Sequence, residues 1–361
     1  MTTDLAARQA QGYPLSVIPG YYGSEPGIQI GTYLSSKATD EDIQFLQQLG
    51  VEWVMTIVDG ADQHTAENYM RLRERFESHG LKIYRLANHD CHNMEQVTLN
   101  LPGRDEKVEE FLNFIRNLGQ AGIHYSTYAH MGNGIWRTGH GTYRGGIVGS
   151  AFDVANAKSG TWIGKKFEGP LTHGREYSEE ELWDNYTYFI KQVVPVAEEA
   201  GVYIGIHPDD PPVYTLGGVP RKMFGTFDGY KRALEIADSP NIGVCLCVGC
   251  WLEGGEGMGA DVIEAIHYFG ERKKLFKVHF RNVSQPMPAP WSETFIDNGY
   301  MDMHRVMQAL REVNFDGAII PDHIPGILGG PRVGLAYSIA YMRALMQAVN
   351  NEFGGPSIAG N

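Results

Sequence analysis

The 361-residue chain has few basic residues and no long apolar run. It holds 30 Lys and Arg against 43 Asp and Glu, so its formal net charge at pH 7 is -13 and no basic block is present for a nucleic acid. No apolar stretch is long enough to span a bilayer, and residues 1–12 lack the apolar core of a signal peptide. The composition therefore argues against nucleic-acid and membrane partners and predicts a cytoplasmic protein.

Cysteine is also scarce, and its placement is uneven. Three of the four cysteines lie together at Cys245, Cys247 and Cys250, while Cys91 is far from them. This arrangement is not typical of a secreted disulfide framework and fits a reducing compartment. Cys247 and Cys250 form one C-x-x-C motif without a second copy, which disfavours a zinc ribbon or a thioredoxin-like site.

Eight short apolar or β-branched segments predict parallel strands that are buried on both faces. They lie at residues 28–33, 51–58, 81–87, 122–130, 202–207, 241–247, 275–281 and 317–322. Amphipathic segments between them predict helices, several of which end at a glycine such as Gly50 or Gly201 directly before the next strand. This rhythm predicts an α/β fold, a single (βα)8 TIM barrel over residues 28–350.

Three segments lie outside the repeating pattern. Residues 131–173 follow the predicted fourth strand, on the side where barrel active sites are built, and they are too rich in aromatic residues for a flexible linker. We therefore predict an active-site loop insertion there. Residues 1–27 have no clear period and form a predicted N-terminal extension, and residues 351–361 are predicted to be a frayed C-terminus.

Side chains that bind metal ions recur at the ends of four consecutive predicted strands: His207, Cys247, His279 and Asp322. Because neighbouring barrel strands lie side by side, the four side chains can converge on one ion. Two imidazoles, a thiolate and a carboxylate suit Zn, Fe(II), Mn or Co, and composition does not choose among them. Cys245 faces the same way as Cys247 in a regular strand and is the alternative thiolate ligand.

Polar residues beside these ligands supply acid–base candidates, namely Asp209, Asp210, Arg281 and His323. A metal chelated by a hydroxy-carbonyl or hydroxy-carboxylate group acidifies the adjacent C–H bond, which leads to isomerisation or to loss of a β-hydroxyl. Arg281 is predicted to pair with a substrate carboxylate, the ordinary alternative being a surface ion pair.

Several strings of this sequence resemble those of a known family. The most specific are H-P-D-D-P-P at residues 207–212 and H-F-R-N-V at 279–283, with P-D-H at 321–323 and a weaker W-R-T at 136–138. With these strings the chain resembles the mannonate dehydratases, metal-dependent (βα)8 enzymes related in fold to xylose isomerase. The resemblance implies dehydration of D-mannonate to 2-keto-3-deoxy-D-gluconate, with Mn²⁺ or Fe²⁺ held by the four ligands named above.

The resemblance also implies a catalytic role for His323. The tyrosine-bearing family segment P-G-Y-G-L-Y appears here as P-R-V-G-L-A at residues 331–336, so Tyr337 is predicted to provide the second proton-transfer group. The predicted substrate-binding residues are Trp136, Arg137, His140, Asp209 and Asp210.

Two alternative functions stay open. One is a metal-dependent isomerase or epimerase of a neutral keto-sugar, which an extra pair of metal-binding carboxylates would favour over a lyase. The other is a catalytically silent sugar-binding or assembly subunit, against which the intact metal ligands argue. The expected partners are a small sugar acid of carbohydrate catabolism and further copies of the chain, because barrels of this type often self-associate.

Overall fold

The structure is a computed structural model that describes residues 28–354. Its central sheet contains eight parallel strands, labelled in chain order: β1 Gln29–Tyr33, β2 Trp53–Val58, β3 Lys82–Asn88, β4 Tyr125–Ala129, β5 Tyr203–His207, β6 Ile242–Cys247, β7 Leu275–Phe280 and β8 Ala318–Pro321. The sheet order is β3-β2-β1-β8-β7-β6-β5-β4, so β1 pairs with β8 and the sheet curls into a barrel. The predicted (βα)8 fold is confirmed.

The barrel is joined by backbone ladders at every strand neighbour except β3 and β4. At this seam the Ser126 hydroxyl donates to the Leu86 carbonyl at 2.8 Å. The imidazole of His92, which follows β3, lies against β4, with Nδ1 2.8 Å from the Thr127 carbonyl oxygen. Side-chain hydrogen bonds and one isolated backbone bridge, Asn93 to Ala129, therefore close the ring in place of a ladder.

Eight helices alternate with the strands: α1 Asp40–Gln48, α2 Ala66–Glu77, α3 Arg104–Gln120, α4 Glu179–Ala200, α5 Phe227–Ala237, α6 Val262–Glu271, α7 Met303–Glu312 and α8 Pro331–Glu352. Helix α4 begins at a capping box formed by Ser178 and Glu181, and it ends at Gly201, whose φ of 63° lies in the left-handed region. None of the helices in residues 28–354 has the length and apolar character needed to cross a lipid bilayer.

Helix α8 continues to Glu352, two residues beyond the predicted end of the barrel. The predicted N-terminal extension, residues 1–27, and positions 355–361 of the predicted frayed C-terminus lie outside the described residues.

A register shift between β6 and β7 determines which side chains share the barrel interior. Val244 is the partner of Leu275, but Cys245 is the partner of Lys277, so Phe276 is an extra residue on β7. Beyond this point Cys247 lies beside His279 in the ladder. The shift therefore aligns the ends of two strands that carry predicted metal ligands.

The loop insertion has regular structure of its own. Strands Gly139–Tyr143 and Ile147–Phe152 form an antiparallel pair, and the second of them also pairs with Trp291–Thr294 from the connection between β7 and α7. Strands Ile135–Trp136, Ser159–Trp162 and Lys165–Glu168 form a separate small sheet. The insertion is thus a structured cover joined to a second barrel loop. Short helices His89–His92, Glu95–Thr98 and Val248–Gly254 follow β3 and β6.

Candidate metal centre and active site

The four predicted metal ligands meet at the carboxyl ends of β5 to β8. His207 Nε2 lies 3.2 Å from His279 Nδ1, and His279 Nδ1 lies 3.3 Å from Asp322 Oδ2. The ligand atoms of Cys247, His279 and Asp322 all lie within 4.8 Å of one another. All four residues are buried or nearly so. Two imidazoles, a thiol and a carboxylate at these separations fit one divalent metal ion.

The surroundings of Cys247 favour its thiolate form, which is the form that binds metals. Burial alone would raise the pKa of this thiol, but a hydrogen bond with Cys250 and the charge of Arg281 hold the pKa well below its usual value. Arg281 Nη2 lies 3.3 Å from Cys247 Sγ and 3.2 Å from Cys250 Sγ. Gly249 leaves room for this guanidinium group, since a Cβ at that position would overlap it.

Cys245, the alternative thiolate ligand, lies on the opposite side of the His279 ring. Its Sγ is 3.6 Å from His279 Nε2, and Lys277 Nζ is 3.0 Å from the same nitrogen. The other ring nitrogen, Nδ1, faces His207 and Asp322. This geometry supports Cys247 rather than Cys245 as the thiolate ligand.

Cys247→Ser is expected to weaken metal binding by about tenfold or more, because a neutral hydroxyl replaces a charged sulfur ligand. Cys250→Ser should keep most of the affinity, since burial and the hydrogen bond with Cys247 hold the pKa of Cys250 well above its usual value and leave it a neutral thiol. Competition with a metal-binding dye measures both affinities. Equal loss in the two variants, or loss only in Cys245→Ser, would show that Cys247 is not the ligand.

Arg281 is fully buried below the ligands and faces protein groups. Its Nη1 donates to Glu253 Oε1 and Glu293 Oε1, both at 2.8 Å, and its Nη2 lies 3.7 Å from Asp210 Oδ2. Burial lowers the pKa of Arg281, but the surrounding negative charges raise it well above its usual value. The charge of Cys247 has the largest effect among them. The structure thus places Arg281 as a counter-ion of the site, with both terminal nitrogens occupied.

Glu293 connects three of the predicted residues, although no sequence pattern marked it. Its Oε1 accepts hydrogen bonds from Arg137 and Arg281, both at 2.8 Å, and lies 2.6 Å from His323 Nδ1. Burial would raise the pKa of Glu293, but His323 and then the two arginines lower it to about 2. Its strand, Trp291–Thr294, pairs with Asn282–Val283 directly after β7 and with the loop insertion, and these pairings bring Glu293 to the site.

The predicted substrate-binding residues divide into two groups. Arg137 forms a two-point ion pair with Asp210, at 2.6 and 3.0 Å, and these residues and the exposed His140 line the cavities described next. Trp136 and Asp209 are buried and line neither of these cavities. Burial raises the pKa of Asp209 to about 7, although Arg221 lies 3.8 Å away and opposes the change.

A cavity of about 370 Å³ opens beside the metal ligands. Its walls include three of the ligands together with Asp210 and His323. Sequence reasoning had not identified the other polar and aromatic wall residues, which are Tyr33, Arg85, His89, His92, Thr127 and Trp162. Arg85 gives this wall a positive charge, which suits an anionic substrate.

A second cavity of about 450 Å³ adjoins the first and is lined by Arg137, His140 and Glu293. His323 and Ile135 line both cavities, so His323 stands between them. The φ of His323 is 47°, in the left-handed region that residues other than glycine rarely adopt and that is enriched at functional sites.

Tyr337 lies on α8 and lines neither of these cavities. Its ring packs edge-on against Phe295 with centroids 5.1 Å apart, and its hydroxyl shares hydrogen bonds with Asp297 and Arg144. The side chain is 38% exposed. The structure does not bring Tyr337 to the metal ligands, and its role in proton transfer stays a prediction.

Comparison with known proteins identifies the family of this barrel. A family model described as D-mannonate dehydratase (UxuA) matches residues 39–158 and 163–354. The chain belongs to the D-mannonate dehydratase family. A mannonate dehydratase of Streptococcus agalactiae serotype Ia is 31% identical over 307 residues, which cover 78% of this chain and 86% of the relative. Mannonate dehydratase 2 of Halalkalibacterium halodurans is 29% identical over 309 residues, covering 79% and 88%.

Solved structures agree with this assignment. The crystal structure of mannonate dehydratase from Streptococcus suis serotype 2 matches with a TM-score of 0.76 at 26% identity, over 92% of this chain and 99% of that one. A xylose isomerase domain protein from Planctomyces limnophilus, at 13% identity and a TM-score of 0.60 over 91% of this chain and 100% of that one, shares the fold alone. The predicted family resemblance, the xylose isomerase-like barrel and the prediction of a hydro-lyase are confirmed.

Proposed function

We propose that this member of the D-mannonate dehydratase family removes water from D-mannonate, or from a closely related aldonate, to give 2-keto-3-deoxy-D-gluconate or the corresponding acid. The observation that carries the proposal is the shared cavity: His207, His279 and Asp322 line it together with Arg85 and His323. A hexonate bound at a metal ion held by the ligands would have the Arg85 guanidinium and the His323 imidazole beside it.

Mn²⁺ or Fe²⁺ at the four-ligand site would act as a Lewis acid that polarises the substrate carboxylate and 2-hydroxyl and so acidifies the proton on C2. The ligand set can accept either ion, because its carboxylate suits Mn²⁺ and its imidazoles suit Fe²⁺, and the family resemblance favours these two.

Dehydration breaks the C2–H and C3–O bonds, forms a C2=C3 double bond and releases the C3 hydroxyl as water once it has gained a proton. We assign that proton to His323, which lines the cavity beside the ligands. Burial lowers the pKa of His323, but the carboxylates of Asp322 and Glu293 raise it above its ordinary value. Glu293, 2.6 Å from Nδ1, also fixes the orientation of the ring, so that Nε2 is the nitrogen available to substrate.

The surrounding carboxylates support a lyase rather than an epimerase. An epimerase of this kind would be favoured by an extra carboxylate pair on the metal. Among the described residues, the nearby Asp210 and Glu293 are instead held by Arg137 and Arg281 at 2.6 to 3.0 Å. Their charges are therefore compensated by arginine.

The proposed function is tested by incubating the protein with a panel of hexonates in the presence of Mn²⁺ or Fe²⁺ and measuring the 2-keto-3-deoxy acid formed. D-mannonate is expected to give the highest rate. Epimerisation of a keto-sugar without dehydration of any hexonate would overturn the proposal. Light scattering on the same preparation tests the homo-oligomer, which, like the cytoplasmic location, we propose from the sequence alone.

Tyr337→Phe is expected to keep turnover within about tenfold of the unmodified protein, because its hydroxyl faces Asp297 and Arg144 outside the cavity. Tyr33→Phe is expected to lower turnover by about tenfold or more, because Tyr33 lines the cavity beside the ligands. Both changes remove one hydroxyl, so each is the matched control for the other. A loss of about a hundredfold in Tyr337→Phe alone would instead establish the proton-transfer role predicted from the sequence.

A further inference from the structure

His92 is a cavity residue that the reaction described above does not use. It ends the short helix His89–His92 after β3, at the seam between β3 and β4. Its Nδ1 lies 2.8 Å from the carbonyl oxygen of Thr127 and 3.3 Å from Arg85 Nη2. The carbonyl contact is the shorter of the two, and a carbonyl oxygen can only accept, so we assign the proton of the neutral ring to Nδ1 and the lone pair to Nε2.

The orientation of the His92 ring is held from a second side. The ring stacks on the indole of Trp162 from the loop insertion, with centroids 5.4 Å apart and planes 23° apart. Trp162 and His92 both line the cavity, together with Thr127. The seam and the loop therefore fix the orientation of the His92 ring in the cavity wall beside the metal ligands.

A dehydratase needs two proton-transfer groups, and His92 and His323 both line the cavity beside the metal ligands. His323 is assigned above to the departing hydroxyl, so a second group is needed for the proton on C2. Burial lowers the pKa of His92 well below its ordinary value, and the charge of Arg85 lowers it further, so the ring is neutral and can accept a proton.

We propose that His92 Nε2 is the base that removes the C2 proton of the hydroxy acid, an inference that rests on the proposed function. The C2–H bond breaks and its proton passes to Nε2, and the electron pair forms the C2=C3 double bond. The C3–O bond breaks, and the hydroxyl leaves as water with the proton of His323. The enol then gains a proton at C3 and loses one from its oxygen, which returns both imidazoles to their starting state.

The test uses His92→Ala in the metal-loaded protein. Its kcat is expected to fall by about a hundredfold or more with unchanged metal content. Added imidazole should restore part of the rate, and among substituted imidazoles the restored rate should rise with basicity, because the added base removes a proton in the transition state. His92→Asn, which can still donate to the Thr127 carbonyl, should lose as much kcat and so separates the base from the structural contact.

His89→Ala is the matched control, because His89 lies on the same helix and its ring also contacts Trp162, with centroids 6.1 Å apart. Its kcat should fall less than that of His92→Ala, and imidazole should not restore it. Full turnover in His92→Ala, a loss that imidazole does not restore, or recovery in His92→Asn would each overturn the role of His92. Inactivity of the unmodified protein on every hexonate would instead overturn the proposed function, and this inference with it.

Discussion

His279→Ala is expected to lose the bound metal ion and, with it, more than about a hundredfold of the turnover. The His279 Nδ1 atom lies between His207 Nε2 and Asp322 Oδ2, at 3.2 and 3.3 Å. Removing the imidazole leaves an open, charge-unbalanced site. Loss of an outer hydrogen-bond partner of a ligand typically lowers metal affinity about tenfold to a hundredfold, so loss of the ligand itself should lower it further. His207→Ala and Asp322→Ala should behave alike. Metal content after dialysis and turnover with D-mannonate measure both effects.

His267→Ala is the control for this experiment. His267 is an exposed histidine of α6, and its Nε2 lies 2.8 Å from Glu312 on the surface. Its removal should leave about one ion per chain, as in the unmodified protein. Undiminished metal content in all three ligand variants would refute the site.

Arg281→Met is expected to destabilise the protein by about 3–5 kcal/mol, the usual result of removing one partner from a buried charge network. Asp210, Glu293 and the Cys247 thiolate would then share a buried region without the guanidinium group that now contacts them. The midpoint of urea unfolding, measured on the metal-free protein, should therefore fall. Arg281→Lys should recover only part of the loss, because an ammonium group cannot reproduce the fork that reaches carboxylate and thiol together.

Arg116→Met provides the comparison for this prediction. Arg116 bonds to Glu109 on the surface of α3, where water screens both charges, so its removal should leave the unfolding midpoint nearly unchanged. If Arg281→Met lowered the midpoint no more than Arg116→Met, the counter-ion role of Arg281 would be wrong. A lower metal affinity of Arg281→Lys at normal stability would show that the guanidinium also maintains the Cys247 thiolate.

The two arginine–carboxylate contacts of Glu293 also link the loop insertion to the candidate active site. Arg137 comes from the insertion and Arg281 from the end of β7, and both bind the same carboxylate oxygen. The ion pairs thus join the cover to the barrel at the point where His323 meets both cavities. A substitution of Arg137 in the insertion is therefore expected to change the position of His323 through Glu293, which contacts both side chains.

The amino-acid sequence by itself determined the barrel and the face at which the four candidate metal ligands meet. Buried parallel strands are near-continuous apolar runs, so the eight strands could be identified locally, each within a few residues of its observed bounds. The ligands could be predicted because carboxyl ends of neighbouring parallel strands lie at one face of a barrel. His207, Cys247, His279 and Asp322 needed no knowledge of the loops.

Only the tertiary structure decided which other groups join them. Glu293 lies on a strand that pairs both with Asn282–Val283 after β7 and with the distant loop insertion. His92 lies at the seam where β3 and β4 share no ladder, and Lys277 aligns with Cys245 through the register shift on β7. Arg281 is turned toward buried acids and thiols, and Tyr337 is directed away from the cavity. Such contacts depend on loop pairing, register and competition among charges. These arise between residues far apart in the chain, so local sequence periodicity cannot predict them.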